Sequence, residues 1–173
     1  MDKNTSIKNE DISIKDSKFT NLLKKLCFDE RLKMMKEYDP KDFFKNSFNE
    51  DIDKANHGCK NSQYIVGNMY IIYRGNIEYG LRYYKLSADQ GDHRAQLNVV
   101  ILLDYIYNNQ DKQKLLCQAC FTDLCNSETI LKYLYLSCSQ KYYYANYLMG
   151  SFIKDNKYEL TKYESNFYLK DRR

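Results

Sequence analysis

The sequence predicts an all-α fold, a helix-turn-helix repeat solenoid of antiparallel helix pairs, and three observations carry that expectation. All six glycines, Gly58, Gly67, Gly75, Gly80, Gly91 and Gly150, fall within one recurring helical pattern. The segments HGCKNSQYIVGNMY and QGDHRAQLNVVILL align at a spacing of 33 residues, pairing Gly58 with Gly91, Ser62 with Ala95 and Gln63 with Gln96. Glu78, Leu81, Tyr83, Leu86, Ser87, Gln90 and Ala95 then recur 50 residues later as Glu128, Leu131, Tyr133, Leu136, Ser137, Gln140 and Ala145. A period between about 20 and 50 residues marks a stacked array, because a single unit cannot bury its apolar face alone. The longer spacing is the shorter one with residues inserted near Asn109–Asn126, and Gly67 returns as Gly150 through both spacings together.

Taken in order, residues 1–17 are polar and mixed in charge and read as a disordered tail. Residues 18–56 read as N-terminal capping helices, and residues 57–173 as the array. Thr20 caps a helix running to Glu37, with Leu22, Leu23, Leu26, Cys27 and Met34 on its apolar face. Asp39 and Pro40 start the next, as N-cap and first helical residue, with Asp42 favouring the positive end of the dipole. Phe44, Phe48, Ile52 and Ala55 follow as its stripe. Asn61–Tyr73 and Asn76–Gln90 form the first clear pair, with Asn76 as the cap of its second helix. Asp92–Tyr107 opens the second pair, the insert supplies a helix over Asp111–Thr122, and Ser127–Gln140 completes it. There Ser127 serves as capping residue and Glu128 as the negative first turn. Tyr142–Lys154 begins a third pair, and Lys157–Lys170 closes the array.

The glycines have two jobs in this reading. Gly58 and Gly91 follow a helix, where a left-handed residue ends it at no steric cost. Gly67, Gly80 and Gly150 lie inside helices, where glycine costs about 0.8–1 kcal/mol relative to alanine. A cost accepted at a repeated position predicts close approach of a neighbouring helix.

Composition agrees and excludes several functions. One proline and six glycines in 173 residues suit a nearly all-helical chain. Eighteen tyrosines and no tryptophan put aromatic packing between helices, although Tyr142, Tyr143 and Tyr144 cannot all face one side. The net charge of +4 comes from 27 basic and 23 acidic residues mixed along the chain. That mixture supplies no directed field for nucleic acid. Lys24-Lys25 reads as a solvated helix face and Arg172-Arg173 as a solvated tail. No apolar run approaches the roughly 18 residues needed to cross a bilayer, and the N-terminus lacks a signal-peptide core. The expectation is a cytoplasmic protein. Its Lys, Asn, Ile and Tyr content suits an AT-rich genome, so the compartment is the host cytoplasm if the source is viral.

In Ser62-Gln63-Tyr64-Ile65-Val66-Gly67-Asn68-Met69-Tyr70 and in GLRYYKLSADQG the chain resembles the Sel-one-like repeat, a relative of the tetratricopeptide repeat. The match runs from His57 to Leu103 and again from Ser127 to Ile153. The chain departs from the family in the short turn Arg74-Gly75-Asn76, in Val100 where the other copies have glycine, and in Lys141 where Gly58 and Gly91 stand. The resemblance implies a right-handed superhelix whose inner face displays a concave groove to a protein or peptide partner, without enzymatic activity or cofactor. The positions it assigns to that groove are Asn61, Tyr64, Asn68 and Ile71, then Arg94, Leu97, Ile101 and Asp104, then Tyr144, Tyr147, Ser151 and Lys154. The alternative for these residues is packing against the following helix. A second functional reading is a structural or self-associating protein acting through its insert, its outer face or its tyrosine-rich third repeat, with Asp155–Arg173 as an associating end.

Candidate chemistry is thin. Cys117, Cys120, Cys125 and Cys138 supply four thiols, and C-x-x-C is a zinc-ligand spacing. The same spacing puts two small apolar residues on one helix face, no second close pair follows, and Cys138 stands where the repeat has Ala88; the reading is reduced packing cysteines and no metal site. A disulfide is the other alternative for them. His57 and His93 lie at turns and hold no fixed motif position, and a His57–Cys59 nucleophilic pair is possible only in principle, with the two residues side by side at a surface turn. No phosphate-binding loop, dinucleotide fingerprint or zinc-protease helix occurs.

Overall fold

The structure, a computed structural model, describes residues 40–74, 76–108, 125–155 and 157–159. These form six α-helices: α1 (Pro40–Asn56), α2 (Lys60–Arg74), α3 (Ile77–Asp89), α4 (His93–Tyr107), α5 (Ser127–Ser139) and α6 (Tyr143–Lys154). A 3-10 turn at Lys157–Glu159 follows, and no strand occurs among the described residues. The expected helices at Thr20–Glu37 and Asp111–Thr122, the segment after Glu159 and Gly75 lie outside the described residues. No described helix is long and apolar enough to cross a membrane.

Caps explain where the helices start. The Asn76 side chain accepts from the Tyr79 N–H at 3.0 Å, and Asn126, 50 residues on, accepts from Thr129 N–H at 2.8 Å. The cap of α5 is therefore Asn126 and not Ser127, because Asn126 has extended backbone while Ser127 is already helical. Asp92 caps α4 by accepting from the N–H groups of Arg94 and Ala95. The turns that follow α1 and α3 place Gly58 and Gly91 at φ of +89° and +84°. After α5 the same left-handed position is held by Lys141 at +59°, so the turn survives the loss of its glycine.

Helices pack chiefly on their neighbours in chain order: α1 on α2, α2 on α3, α3 on α4, α4 on α5 and α5 on α6. α4 is the centre of the core. Every residue from Ala95 to Leu103 is buried, as expected of a helix with apolar contacts on all sides.

The same polar contacts recur in the two pairs. Gln90 Nε2 donates to Gln63 Oε1 at 2.6 Å, and Gln140 Nε2 donates to Gln96 Oε1 at 3.0 Å. Ser87 Oγ donates to the Lys60 carbonyl, and Ser137 Oγ to the His93 carbonyl. The Tyr83 hydroxyl donates to Asn56, and that of Tyr133 to Asp89. Partners lie 27 residues apart in the first pair and 44 in the second. That difference, 17, is also the difference between the 33- and 50-residue spacings. The sequence alignment of the repeats is thus reproduced contact by contact on both sides of the insert.

The interior glycines divide. A methyl group added at Gly67 would overlap the Tyr84 ring, and one added at Gly80 would overlap the Ile71 side chain. Both are close approaches. Gly150 is a correction, since an added methyl would meet no atom of the described residues within 4 Å. Its register matches Gly67, but no described helix packs where α3 packs on α2.

Candidate protein-interaction surface

One stripe of α2, α4 and α6 carries the site, and its chemistry follows from what covers it. On α2 the stripe is Lys60, Tyr64, Gly67 and Ile71, residues one helical turn apart. It faces α3. Ser87 bonds the Lys60 carbonyl, the Tyr84 ring lies 6.0 Å from that of Tyr64, and Gly80 meets Ile71. The Tyr84 hydroxyl also donates to buried Asn68 at 2.6 Å. On α4 the equivalents are His93, Leu97, Val100 and Asp104; the His93 carbonyl accepts from Ser137 of α5, whereas Asp104 bonds Tyr158 beyond α6. Leu97 and Val100 are fully buried. Leu134, at the position of Tyr84, is smaller where Val100 is larger than glycine, so space is conserved across the pair.

On α6 the stripe is Tyr143, Tyr147, Gly150 and Lys154, and every member is exposed. Tyr143 is 72% and Tyr147 71% accessible. Ala145, Met149 and Phe152 bury the opposite side of the helix. Two tyrosine rings and an open glycine notch therefore stand side by side on the face that α2 and α4 turn into the core. Tyr144 adds a third exposed ring, 5.5 Å from that of Tyr143. Tyrosine supplies large contact area at small entropic cost, the reason it is favoured at protein interfaces.

The groove positions read from sequence scatter between interior and surface. Tyr64 is 2% exposed, Leu97 0%, and Asn68, Ile71 and Ile101 are buried as well. These are corrected to packing residues, because the following helix and the neighbouring repeat close over them. Asn61 is exposed and bonded to Arg94 Nη2 at 3.1 Å. Arg94 is held from three sides: it pairs with Asp92 at 2.7 Å and stacks over the Tyr64 ring at 4.3 Å. Tyr147 and Lys154 belong to the α6 stripe; Tyr144 and half-buried Ser151 flank it. Tyr143 was missed by sequence reasoning, and its register with Lys60 and His93 was the signal that could have found it.

Asp104 anchors the chain beyond α6. It accepts from the Tyr158 hydroxyl and pairs with Lys157 Nζ at 3.4 Å. The Tyr158 ring packs against Tyr107 and Phe152, and its φ of +63° kinks the backbone there. Burial, then the bond to Asp104, raises the Tyr158 phenol well above its ordinary range.

The thiols and imidazoles lie in separate surroundings. Cys125 and Cys138 are half-buried; burial pushes the Cys138 thiol up to about 11. Cys117 and Cys120 lie outside the described residues, and no three metal-binding side chains gather among those described. Cys59 is exposed at the start of α2, where hydrogen bonds from the Ser62 backbone and side chain lower its thiol. His57 Nδ1 is 2.6 Å from the Asp53 carbonyl, and the His93 ring packs edge-on against Tyr142 at 4.5 Å.

Comparison with protein families, with curated proteins and with solved structures returns no match for this chain.

Proposed function

We propose that this chain is a non-enzymatic interaction scaffold, a solenoid of Sel-one-like helix pairs whose partner-binding surface is the bare stripe of α6. One observation carries the reading. The two central stripe positions are buried on α2 (Tyr64, Gly67) and on α4 (Leu97, Val100), but on α6 their equivalents Tyr147 and Gly150 are solvent-exposed, with exposed Tyr143 one turn before them. Isolated exposed aromatics need no explanation, but neighbouring ones on an unpaired helix face suit docking of another helix. The residues Tyr64, Leu97 and Ile101 do not serve a groove reading, since a ligand would have to displace the core to reach them. The tyrosine-rich third repeat is accordingly favoured over the concave face.

The test compares affinity capture by the parent chain, by Tyr143→Ala/Tyr147→Ala and by Asn61→Ala/Arg94→Ala, each checked for helix content. A partner kept by the second variant and lost by the first supports the α6 surface. Loss only from the Asn61/Arg94 variant returns the binding site to the groove.

A further inference from the structure

We infer that the α6 stripe is self-complementary and that its occupant is a second copy of this chain. The inference rests on the reading of that stripe as the interaction surface. The internal α2–α3 contact provides the rule. There an aromatic ring, Tyr84, sits on the helix-interior glycine Gly67, and one turn along α2 the Ile71 side chain sits on Gly80 of α3. Two antiparallel helices thus exchange a knob for a notch twice.

α6 carries both halves of such an exchange on one face. Its notch is Gly150, open and exposed, and its knob is Tyr147, less than one turn away. An antiparallel second α6, centred between positions 148 and 149, sets Tyr147 of each copy opposite Gly150 of the other. The same alignment sets Tyr143 of each copy opposite Lys154, where an ammonium against a tyrosine face is favourable. Each contact occurs twice, as an isologous two-fold interface requires. The arrangement buries the two most exposed tyrosines of the described helices, and a glycine that costs α6 helix stability gains a use. A helix of 12 residues is about 18 Å long, so the interface is small and the association reversible.

Sedimentation velocity over a wide concentration series tests this, on the full chain and on the Tyr147→Ala, Tyr147→Phe and Gly150→Ala variants. Urea midpoints at low and high concentration accompany it. The expected result is a reversible dimer, weakened at least tenfold by Tyr147→Ala and by Gly150→Ala and retained by Tyr147→Phe. Gly150→Ala should raise the urea midpoint of the dilute monomer, because a bare helix position prefers alanine. A chain that stays monomeric throughout, or a dimer indifferent to Tyr147→Ala, overturns the inference. So does a Gly150→Ala midpoint lowered equally at every concentration, which assigns the notch to the chain's own residues 160–173. A monomer that still captures a partner through Tyr143 and Tyr147 overturns the dimer and leaves the proposed function standing.

Discussion

The ring of Tyr84 fills the space that a side chain on Gly67 would occupy. The first pair is therefore closed by contact between a backbone and a ring, and tolerance of Gly67 to substitution is a direct measure of that closure. Gly67→Leu is expected to destabilise the fold by about 1–3 kcal/mol or more, through overpacking. Urea unfolding of the variant beside the parent reads the loss. Equal midpoints would mean that α2 and α3 do not approach as described.

Lys141 occupies the left-handed position that Gly58 and Gly91 occupy in the other turns, at φ of +59°. A side chain there is strained by contact between its Cβ and the following carbonyl. Lys141→Gly removes the strain but gives the unfolded chain more freedom. The expected balance is stabilisation by about 0.5–1 kcal/mol. Thermal or urea unfolding decides the sign.

Asp92 is the buried hinge of the second turn, capping α4 and pairing with Arg94. Burial alone would raise its carboxyl, but the hydrogen bonds and charge of Arg94 and the N–H of Ala95 outweigh it and hold it below the ordinary aspartate range. A carboxyl with its folded pKa depressed stabilises fully above the unfolded value and loses that contribution as pH falls through the folded one. Asp92→Asn, which keeps the cap and removes the charge, should cost about 1.5–3 kcal/mol at neutral pH. The gap between parent and variant should close as pH falls through and below the ordinary aspartate range, where the depressed carboxyl takes up its proton. Urea midpoints measured across that range check it; a gap independent of pH would place the effect in packing.

Cys59 and Cys138 sit at opposite ends of thiol reactivity. Ser62 donates to Cys59 and lowers it, while burial raises Cys138 to about 11. Because the thiolate is the nucleophile, iodoacetamide near neutral pH should label Cys59 well before Cys138. Peptide mapping of timed samples reads the order. Ser62→Ala should slow Cys59 by removing a stabilising hydrogen bond.

Local rules made much of this legible in advance. Asn76 caps where a short polar side chain precedes an apolar run, and Gly58 and Gly91 end helices where φ turns positive. These depend on residues close in sequence, so the chain alone displays them. The register makes Ser137 the equivalent of Ser87 and His93 that of Lys60, so the structure's pairing of Ser87 with Lys60 is repeated by Ser137 with His93.

Which side of each first helix faces inward was not legible. Tyr64, Leu97 and Tyr147 share one register, yet two are buried and the third is bare. Periodicity identifies a face but not its cover, and on α4 apolar residues surround the helix so that no face stands out. Gly67 and Gly150 make the same point, since one is filled by Tyr84 and the other meets only open space among the described residues.

The sequence by itself thus determined the all-helical class, the Asn76 cap, the left-handed turns at Gly58 and Gly91 and the spacing that relates the helix pairs. Only the tertiary structure decided that Arg94 is tied down over Tyr64 and that the tyrosines of α6 are left on the surface. The physical reason is that capping and periodicity are short-range, whereas burial depends on whether a neighbouring helix arrives to exclude water.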